Sequence, residues 1–225
     1  MFEGWDAAGK GGAIRRISAA MDPRSFKVWP IGAPRPYYLQ RHYLLRFMER
    51  LPPSGAISAF DRSWYGRVLV ERVEGLTPKS RWKAAYREIV EFERMLTDDG
   101  IRLAKIFFHI SPEEQLARLE SRLRDPMKRW KLSYEDFRNR AHWDDNIAAA
   151  EEMFARTHSR HAPWALIAAD DKKHARIAAI EHVIERLGEG LDLGPPALSE
   201  EVIAEALRHF ELEPELLRSL RGRTD

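Results

Sequence analysis

The sequence predicts an α/β domain in which a parallel sheet is covered by helices on both faces. Three observations carry this. Short apolar runs of strand length alternate with longer amphipathic segments. A glycine-rich turn, Gly4-Trp5-Asp6-Ala7-Ala8-Gly9-Lys10-Gly11-Gly12, stands directly before a helical segment. The apolar run Ala56-Ile57-Ser58-Ala59-Phe60 delivers Asp61-Arg62-Ser63-Trp64-Tyr65 at its C-terminal end, where open α/β sheets gather their ligands.

The elements follow in order. A helix is expected from the glycine-rich turn to Met21, ended by Asp22-Pro23. Residues 27–31 read as a short strand. Residues 35–50 are periodic in Tyr38, Leu39, His42, Tyr43, Leu45, Phe47 and Met48, and predict one helix stopped by Pro52-Pro53. Residues 56–60 have the length of a buried parallel strand. Residues 79–96 form a strongly amphipathic helix, with Trp82, Phe92 and Met95 on its core face. A second buried strand at 103–110 is followed by Ser111-Pro112-Glu113-Glu114, a helix start with proline in its first turn. Asp125-Pro126 breaks that helix, and Ser133-Tyr134-Glu135-Asp136 caps another. A last strand at 164–168 and a core helix at 171–187 complete a domain of residues 1–187. Residues 188–196 read as a linker, and 199–220 as one or two amphipathic helices, so 188–225 is a linker and helical tail.

Composition narrows the function classes. The chain has 225 residues, enough for one α/β domain with a substantial core, and 44% apolar against 32% charged content makes it globular. Formal charge is +2, so the pI of about 8.9 is no argument for nucleic-acid binding. With no cysteine, disulfides, thiolate metal sites and cysteine nucleophiles are excluded. No apolar run is long enough for a membrane span, and no signal peptide is visible. A cytoplasmic protein without membrane or nucleic-acid partners is expected. The eight histidines are scattered; His158 and His161 read as surface or cap residues.

Two sets of residues point to phosphate chemistry. Gly4-x4-Gly9-Lys10 has Walker A spacing, in which small residues let successive backbone N–H groups turn inward on an anion and the following helix adds its positive end. Gly9, Gly11 and Gly12 are expected to line phosphate, and Lys10 to bring a mobile charge to it. The Ser or Thr that usually follows the lysine is Gly11 here, so Asp6 is the candidate to supply a metal-side carboxylate instead. Asp61 is the second such carboxylate, and Arg62 a planar clamp for phosphate. The second set is basic: Arg118, Arg122, Arg124, Lys128, Arg129 and Lys131, opposed only by Glu120 and Asp125. A lid over about residues 118–145, spreading several screened contacts along a polyanion, is expected.

Taken together, these segments resemble the family-2 polyphosphate kinases. The matching stretches are Phe2 through Gly12, Phe60-Asp61-Arg62-Ser63-Trp64-Tyr65-Gly66-Arg67, Asp125-Pro126-Met127-Lys128-Arg129-Trp130-Lys131-Leu132-Ser133, and Ala162-Pro163-Trp164 with Asp170-Asp171-Lys172. The resemblance implies a P-loop kinase fold like thymidylate kinase, Mg2+ dependence, and phosphoryl transfer between polyphosphate and a nucleotide: AMP slightly favoured, then ADP, or a guanine equivalent. It makes Gly11 normal, places magnesium on Asp6 and Asp61, and makes Lys10, Arg62 and Arg67 phosphate contacts. Arg122, Lys128 and Lys131 would belong to the lid, with Arg118 and Arg124 as helpers by charge. A homo-oligomer is expected. The competing readings are an ATP-dependent nucleoside monophosphate kinase and a non-catalytic polyanion-binding protein. A P-loop normally follows a full strand, and only Met1 and Phe2 precede Glu3. Either the sequence starts late or the sheet lacks its central strand, whose loss would leave neighbouring backbone groups unpaired.

Overall fold

The computed structural model describes residues 1–194, 197–211 and 213–220. Pro195 and Pro196 of the expected linker, Leu212 within the expected helical tail, and residues 221–225 lie outside them. The chain falls into two compact units, Met1–Leu187 and Gly188–Asp225.

In the first unit five parallel strands stand in the order β2-β3-β1-β4-β5: β1 Phe2–Gly4, β2 Phe26–Pro30, β3 Ile57–Asp61, β4 Lys105–His109 and β5 Trp164–Ala168. The chain leaves the central strand for one side of the sheet and later crosses to the other, so the crevice beyond β1 lies at the reversal of strand order. The central strand is present, as three residues. Phe2, Glu3 and Gly4 register with Ile106, Phe107 and Phe108 of β4, while on the β3 side only Phe2 pairs, with Asp61. Backbone bonds from Ile106 N–H to the Met1 carbonyl and from Arg62 N–H to the Phe2 carbonyl extend the pairing. Gly4 is required by this close approach: a Cβ there would stand 2.3 Å from the Phe108 carbonyl oxygen, at a backbone φ of 131°.

Alternation along the strands sorts the core onto two faces. Phe2, Ala59, Ile106, Phe108 and Ile167 pack against α1 (Lys10–Ala19) through Ile14 and Ile17, and against α9 (Lys172–Gly188) through Ala175, Ala179 and Val183. Met1, Phe60 and Phe107 face the other way, onto α5 (Lys79–Asp98) through Tyr86, Ile89, Phe92 and Leu96 and onto α8 (Trp143–Thr157) through Ala150 and Met153. Trp64 and Tyr65, in a 3₁₀ turn over Trp64–Arg67, are buried on this second face. Their polar tips meet a buried ion pair. Lys105 Nζ donates to Glu93 Oε2 and Tyr65 Oη, both at 2.8 Å, and to the Thr157 carbonyl at 2.9 Å. Trp64 Nε1 and Tyr65 Oη donate to Glu93 Oε1 at 3.1 and 2.7 Å. Burial pushes the Glu93 carboxyl up and the Lys105 ammonium down, each opposed by the charge of the other.

Two expectations are corrected. Residues 35–50 do not form one helix but two short ones, α2 Pro36–Leu39 and α3 Leu45–Met48, because only Leu44 and Phe47 of this segment are fully buried and the outward face has no core to continue along. Met95 is 49% exposed, since the core stripe of α5 runs through Ile89, Phe92, Glu93 and Leu96 instead. The remaining helices of this unit are α4 Val70–Val73, α6 Pro112–Arg124 and α7 Tyr134–Ala141. Ser111 caps α6 by accepting from Glu114 N–H, and Ser133 with Asp136 forms a capping box on α7. In the second unit, Ser199 caps α10 (Glu200–His209), and α11 spans Pro214–Leu220. Among the described residues no helix is long and apolar enough to cross a membrane.

Candidate active site

The glycine-rich turn links β1 to α1 at the centre of the sheet. Gly9, the N-cap, has φ 110°, and Ala7 holds a left-handed φ of 63°. The first helical hydrogen bond runs from Gly12 N–H to the Gly9 carbonyl, so the amides of Gly9, Lys10 and Gly11 precede any intrahelical partner. Lys10 folds back over the turn, its Nζ donating to the carbonyls of Gly4 at 2.6 Å and Trp5 at 3.0 Å. Burial lowers its pKa, against the raising influence of Asp6.

The end of β3 supplies the opposing wall. Arg62, left-handed at φ 65°, turns its Nη2 to Asp6 Oδ1 at 2.7 Å. Burial works against this charge, but Asp6, Glu3 and Asp61 outweigh it and hold the guanidinium pKa above its ordinary value. Asp6 Oδ2 accepts from Asn139 Nδ2 of α7 at 2.6 Å. Beneath the loop, Ser63 Oγ donates to Glu3 Oε1 at 2.7 Å, and burial raises the Glu3 pKa.

Two cavities meet at the Asp6–Arg62 pair. The larger, about 910 Å³, is bounded by Asp6, Gly9, Lys10, Gly11, Gly12, Asp61 and Arg62 on one side and by Arg122, Lys128 and Lys131 on the other. The smaller, about 80 Å³, lies between Trp5, Leu69, Val70, Phe107 and Trp143, with Asn139 and Asn146 on its rim. Helix α7 closes over it through Asn139 and through an ion pair of 2.7 Å from Arg138 to Glu74, the C-cap of α4.

The structure thus gathers most of the sequence-derived residues around one cleft. Asp6 and Asp61 line it together, and Asp61 makes no side-chain hydrogen bond or ion pair among the described residues. That donor set suits magnesium, which takes one or two carboxylates and keeps water and phosphate oxygens for its other positions. Arg122 also faces Asp136, at 3.7 Å, Lys128 pairs with Asp125, and Lys131 stacks over Trp130 at 5.2 Å. Two residues stand apart. Arg67 lines neither cavity: it bonds Thr77 Oγ1, pairs with Glu71 at 2.7 Å and lies 4.4 Å over the Tyr43 ring. Arg124 is outside the larger cleft, 3.6 Å from Glu120. Arg118 lines the cleft from beneath the loop, buried to 4% exposure.

Other cations were missed by the sequence reading. Arg15 and Arg16 of α1 and Lys172 and Arg176 of α9 line the larger cleft. Lys172 had drawn notice only as part of a motif. Burial, and then the charges of Arg118, Arg176 and Arg122, depress its pKa against the opposing effect of Glu114. The available signal was position: each lies within the first two turns of a helix that follows a strand end, where side chains overhang the crevice. Asn139, Trp143 and Asn146 carried no such signal, because α7 and α8 bring them over β1 only through the fold.

A parallel sheet, a glycine-rich loop after its central strand and an acid at the neighbouring strand end define a P-loop kinase-like fold. Residues 1–191 match the family described as Polyphosphate kinase 2 (PPK2), and the chain belongs to that family. It is 48% identical over 187 residues to the polyphosphate:AMP phosphotransferase of Pseudomonas syringae pv. tomato, covering 83% of this chain and 38% of that protein. It is 44% identical, over 83% of this chain and 62% of the other, to the ADP-polyphosphate phosphotransferase of Pseudomonas aeruginosa. The crystal structure of polyphosphate kinase 2 from Arthrobacter aurescens TC1 superposes with a TM-score of 0.85 at 33% identity, over 93% of this chain and 74% of that one. The chain spans about two fifths of the length of the Pseudomonas syringae relative.

Proposed function

We propose that this chain transfers phosphoryl groups between inorganic polyphosphate and a nucleotide, with AMP the favoured acceptor, ADP next, and magnesium required. The observation that carries the reading is the excess of cations around the larger cleft. Arg15, Arg16, Lys128, Lys131, Lys172 and Arg176 line it beside the anion loop, far more positive charge than one triphosphate needs. Like charges so arranged repel one another unless a polyanion lies between them. The acceptor reading is supported by the relatives: the one named for AMP is 48% identical and the one named for ADP 44%.

In this reading the polyphosphate end enters through the larger cleft and the nucleotide through the smaller cavity. At about 80 Å³ that cavity is far below the roughly 300 Å³ of a ligand pocket, so α7 has to swing outward to admit the acceptor. A terminal oxygen of the nucleotide phosphate attacks the end phosphorus of the chain. The new P–O bond forms as the anhydride bond to the next phosphate breaks, and the shortened chain leaves with the bridging oxygen and its electron pair. Lys10 exchanges its two carbonyl partners for oxygens of the transferred group, and Arg62 exchanges Asp6 for phosphate. Asp6 and Asp61 would hold the magnesium ion, which when bound neutralises charge on the phosphate oxygens. In-line placement and fixed positive charge supply the acceleration.

The test swaps the donor. The protein, magnesium and long-chain polyphosphate are incubated with AMP, ADP or GDP in the absence of ATP, and the product nucleotide is followed by chromatography. AMP converted to ADP fastest is the expected result. Conversion only when ATP is supplied would identify an ordinary nucleoside monophosphate kinase, and no conversion from any donor a polyanion-binding protein.

A further inference from the structure

Arg118 had been grouped with the lid by charge, and its surroundings give it different work. Each of its five N–H groups has a partner inside the protein. Nε donates to Glu114 Oε1 at 2.5 Å, Nη1 to the carbonyls of Ala7 and Ala8, both at 3.0 Å, and Nη2 to the carbonyls of Ala169 and Asp170 at 2.7 and 2.8 Å. A guanidinium has no sixth donor for an anion. We infer that Arg118 is a positioning residue for phosphoryl transfer, holding the glycine-rich loop in its anion-binding shape and tying it to the loop between β5 and α9.

The geometry explains how. Within a planar peptide the C=O and N–H point in opposite directions. With the Ala8 carbonyl drawn down to Arg118, the Gly9 N–H of the same peptide faces away from it, toward the cleft. The Ala7 carbonyl is drawn to the same nitrogen while Ala7 itself sits in the left-handed region, a conformation that persists only where its surroundings enforce it. A Cβ on Gly9 would stand 3.9 Å from Nη1, so the guanidinium lies immediately under the turn. The second nitrogen reaches the end of β5, just before the Lys172 and Arg176 that line the cleft. A lysine cannot replace this: its ammonium is a single point with three donors, and cannot span two loops at once.

This inference rests on the proposed function, and its test separates the two. Arg118→Lys and Arg118→Ala are made in the full chain and compared with wild type for turnover, salt dependence of long-chain polyphosphate affinity, and calorimetric binding of tripolyphosphate, which needs no turnover. A displaced loop should lower kcat by ~100-fold, the scale of an ångström of misplacement, and weaken tripolyphosphate binding. The salt slope and the preference for long over short chains should stay as in wild type. Guanidinium at tens of millimolar should restore part of the Arg118→Ala turnover while urea does not. Because guanidinium otherwise destabilises proteins, such rescue cannot come from general stabilisation. Wild-type kcat and tripolyphosphate affinity in either variant would overturn the inference. So would a shallower salt slope, which would make Arg118 an anion contact, or a loss of turnover that guanidinium leaves untouched. Should neither variant fold, Glu114→Ala, which removes the acceptor of Nε alone, must lower kcat at an unchanged salt slope; unchanged kcat there overturns it too. A wild-type protein that binds tripolyphosphate but transfers no phosphate sinks the proposed function, and the binding comparison still decides the role of Arg118.

Discussion

Neutralising Arg122, Lys128 and Lys131 together to glutamine tests whether the basic segment holds polyphosphate. These three face the larger cleft, whereas Arg124 does not. A cation that neutralises one charge of a single-stranded polyanion contributes about 0.7 to the slope of log affinity against log salt. Three such contacts would give about 2. The structure trims that figure, because Lys128 already pairs with Asp125 and Arg122 faces Asp136. The slope lost in the triple variant should therefore lie between about 1 and 2. A fourfold rise in salt should then weaken wild-type affinity for long chains roughly 4- to 16-fold more than it weakens the variant's. A short donor spans fewer of these cations, so its affinity should change less. The assay is apparent affinity for long and short polyphosphates across a salt series, with kcat followed separately because lost contacts at the reacting end would lower it. Identical slopes and chain-length preference in wild type and variant would show that the segment is a solvated face, leaving Arg15, Arg16, Lys172 and Arg176 to hold the chain.

The remaining predictions concern the reacting centre and the core. Lys10→Met and Asp61→Asn should each cut turnover at least ~100-fold with melting temperature preserved, the scale of losing one transition-state contact; near-normal rates in either would refute its assignment. Lys105→Met leaves the Glu93 carboxylate buried without its counter-charge and should cost about 3–5 kcal/mol in urea unfolding, part of it recovered by adding Glu93→Gln, which keeps an acceptor for Trp64 and Tyr65; a cost under about 1 kcal/mol would mean that water reaches the pair. Glu3 has a raised pKa in the folded protein, so its contribution to stability is full below the unfolded glutamate value and is lost as pH climbs through the folded one. Glu3→Gln keeps an acceptor for Ser63 and removes that loss. Its melting temperature should exceed wild type at about pH 8 and the gap should close in acid; a gap that widens in acid would reverse the sign.

What could be read from the sequence was what depends on neighbours along the chain. The loop from Gly4 to Gly12 carries its own turn, its own helix start and its own lysine, so its chemistry is local. Asp61 was legible for a related reason, standing at the end of a run whose length and apolarity already marked a buried strand. The single helix expected over 35–50 failed because periodicity reports which residues could share a face, not whether a core is there to meet it. Glu93 and Lys105 gave no signal at all. One lies in a helix and one in a strand, and only packing α5 on the sheet brings them to 2.8 Å. Arg118 and Arg122 look alike in the sequence, four residues apart on one helix. The carbonyls that separate their roles come from the loops after β1 and β5, which no pattern within α6 can reveal.

The charged groups at the centre are mostly satisfied before any ligand arrives: Lys10 by two carbonyls, Arg62 by Asp6, and Asp6 also by Asn139. Phosphate binding there exchanges one set of hydrogen bonds for another, so its net gain is modest even though each new bond is charge-assisted. If the proposed function holds, the same exchange would give the Asp6–Arg62 pair, which lines both cavities, a part in coupling them. In the proposed reaction, releasing Arg62 to phosphate would free one oxygen of Asp6, and moving α7 to admit a nucleotide would free the other by withdrawing Asn139. On that reading each substrate that binds would leave one more oxygen of Asp6 open to the magnesium ion. On the proposed function, affinity for a long donor would come from the outer cations on α1, α9 and the basic segment. The proposed catalytic charges thus rest on internal partners, and the proposed binding charges are spread along the cleft, where salt can screen them.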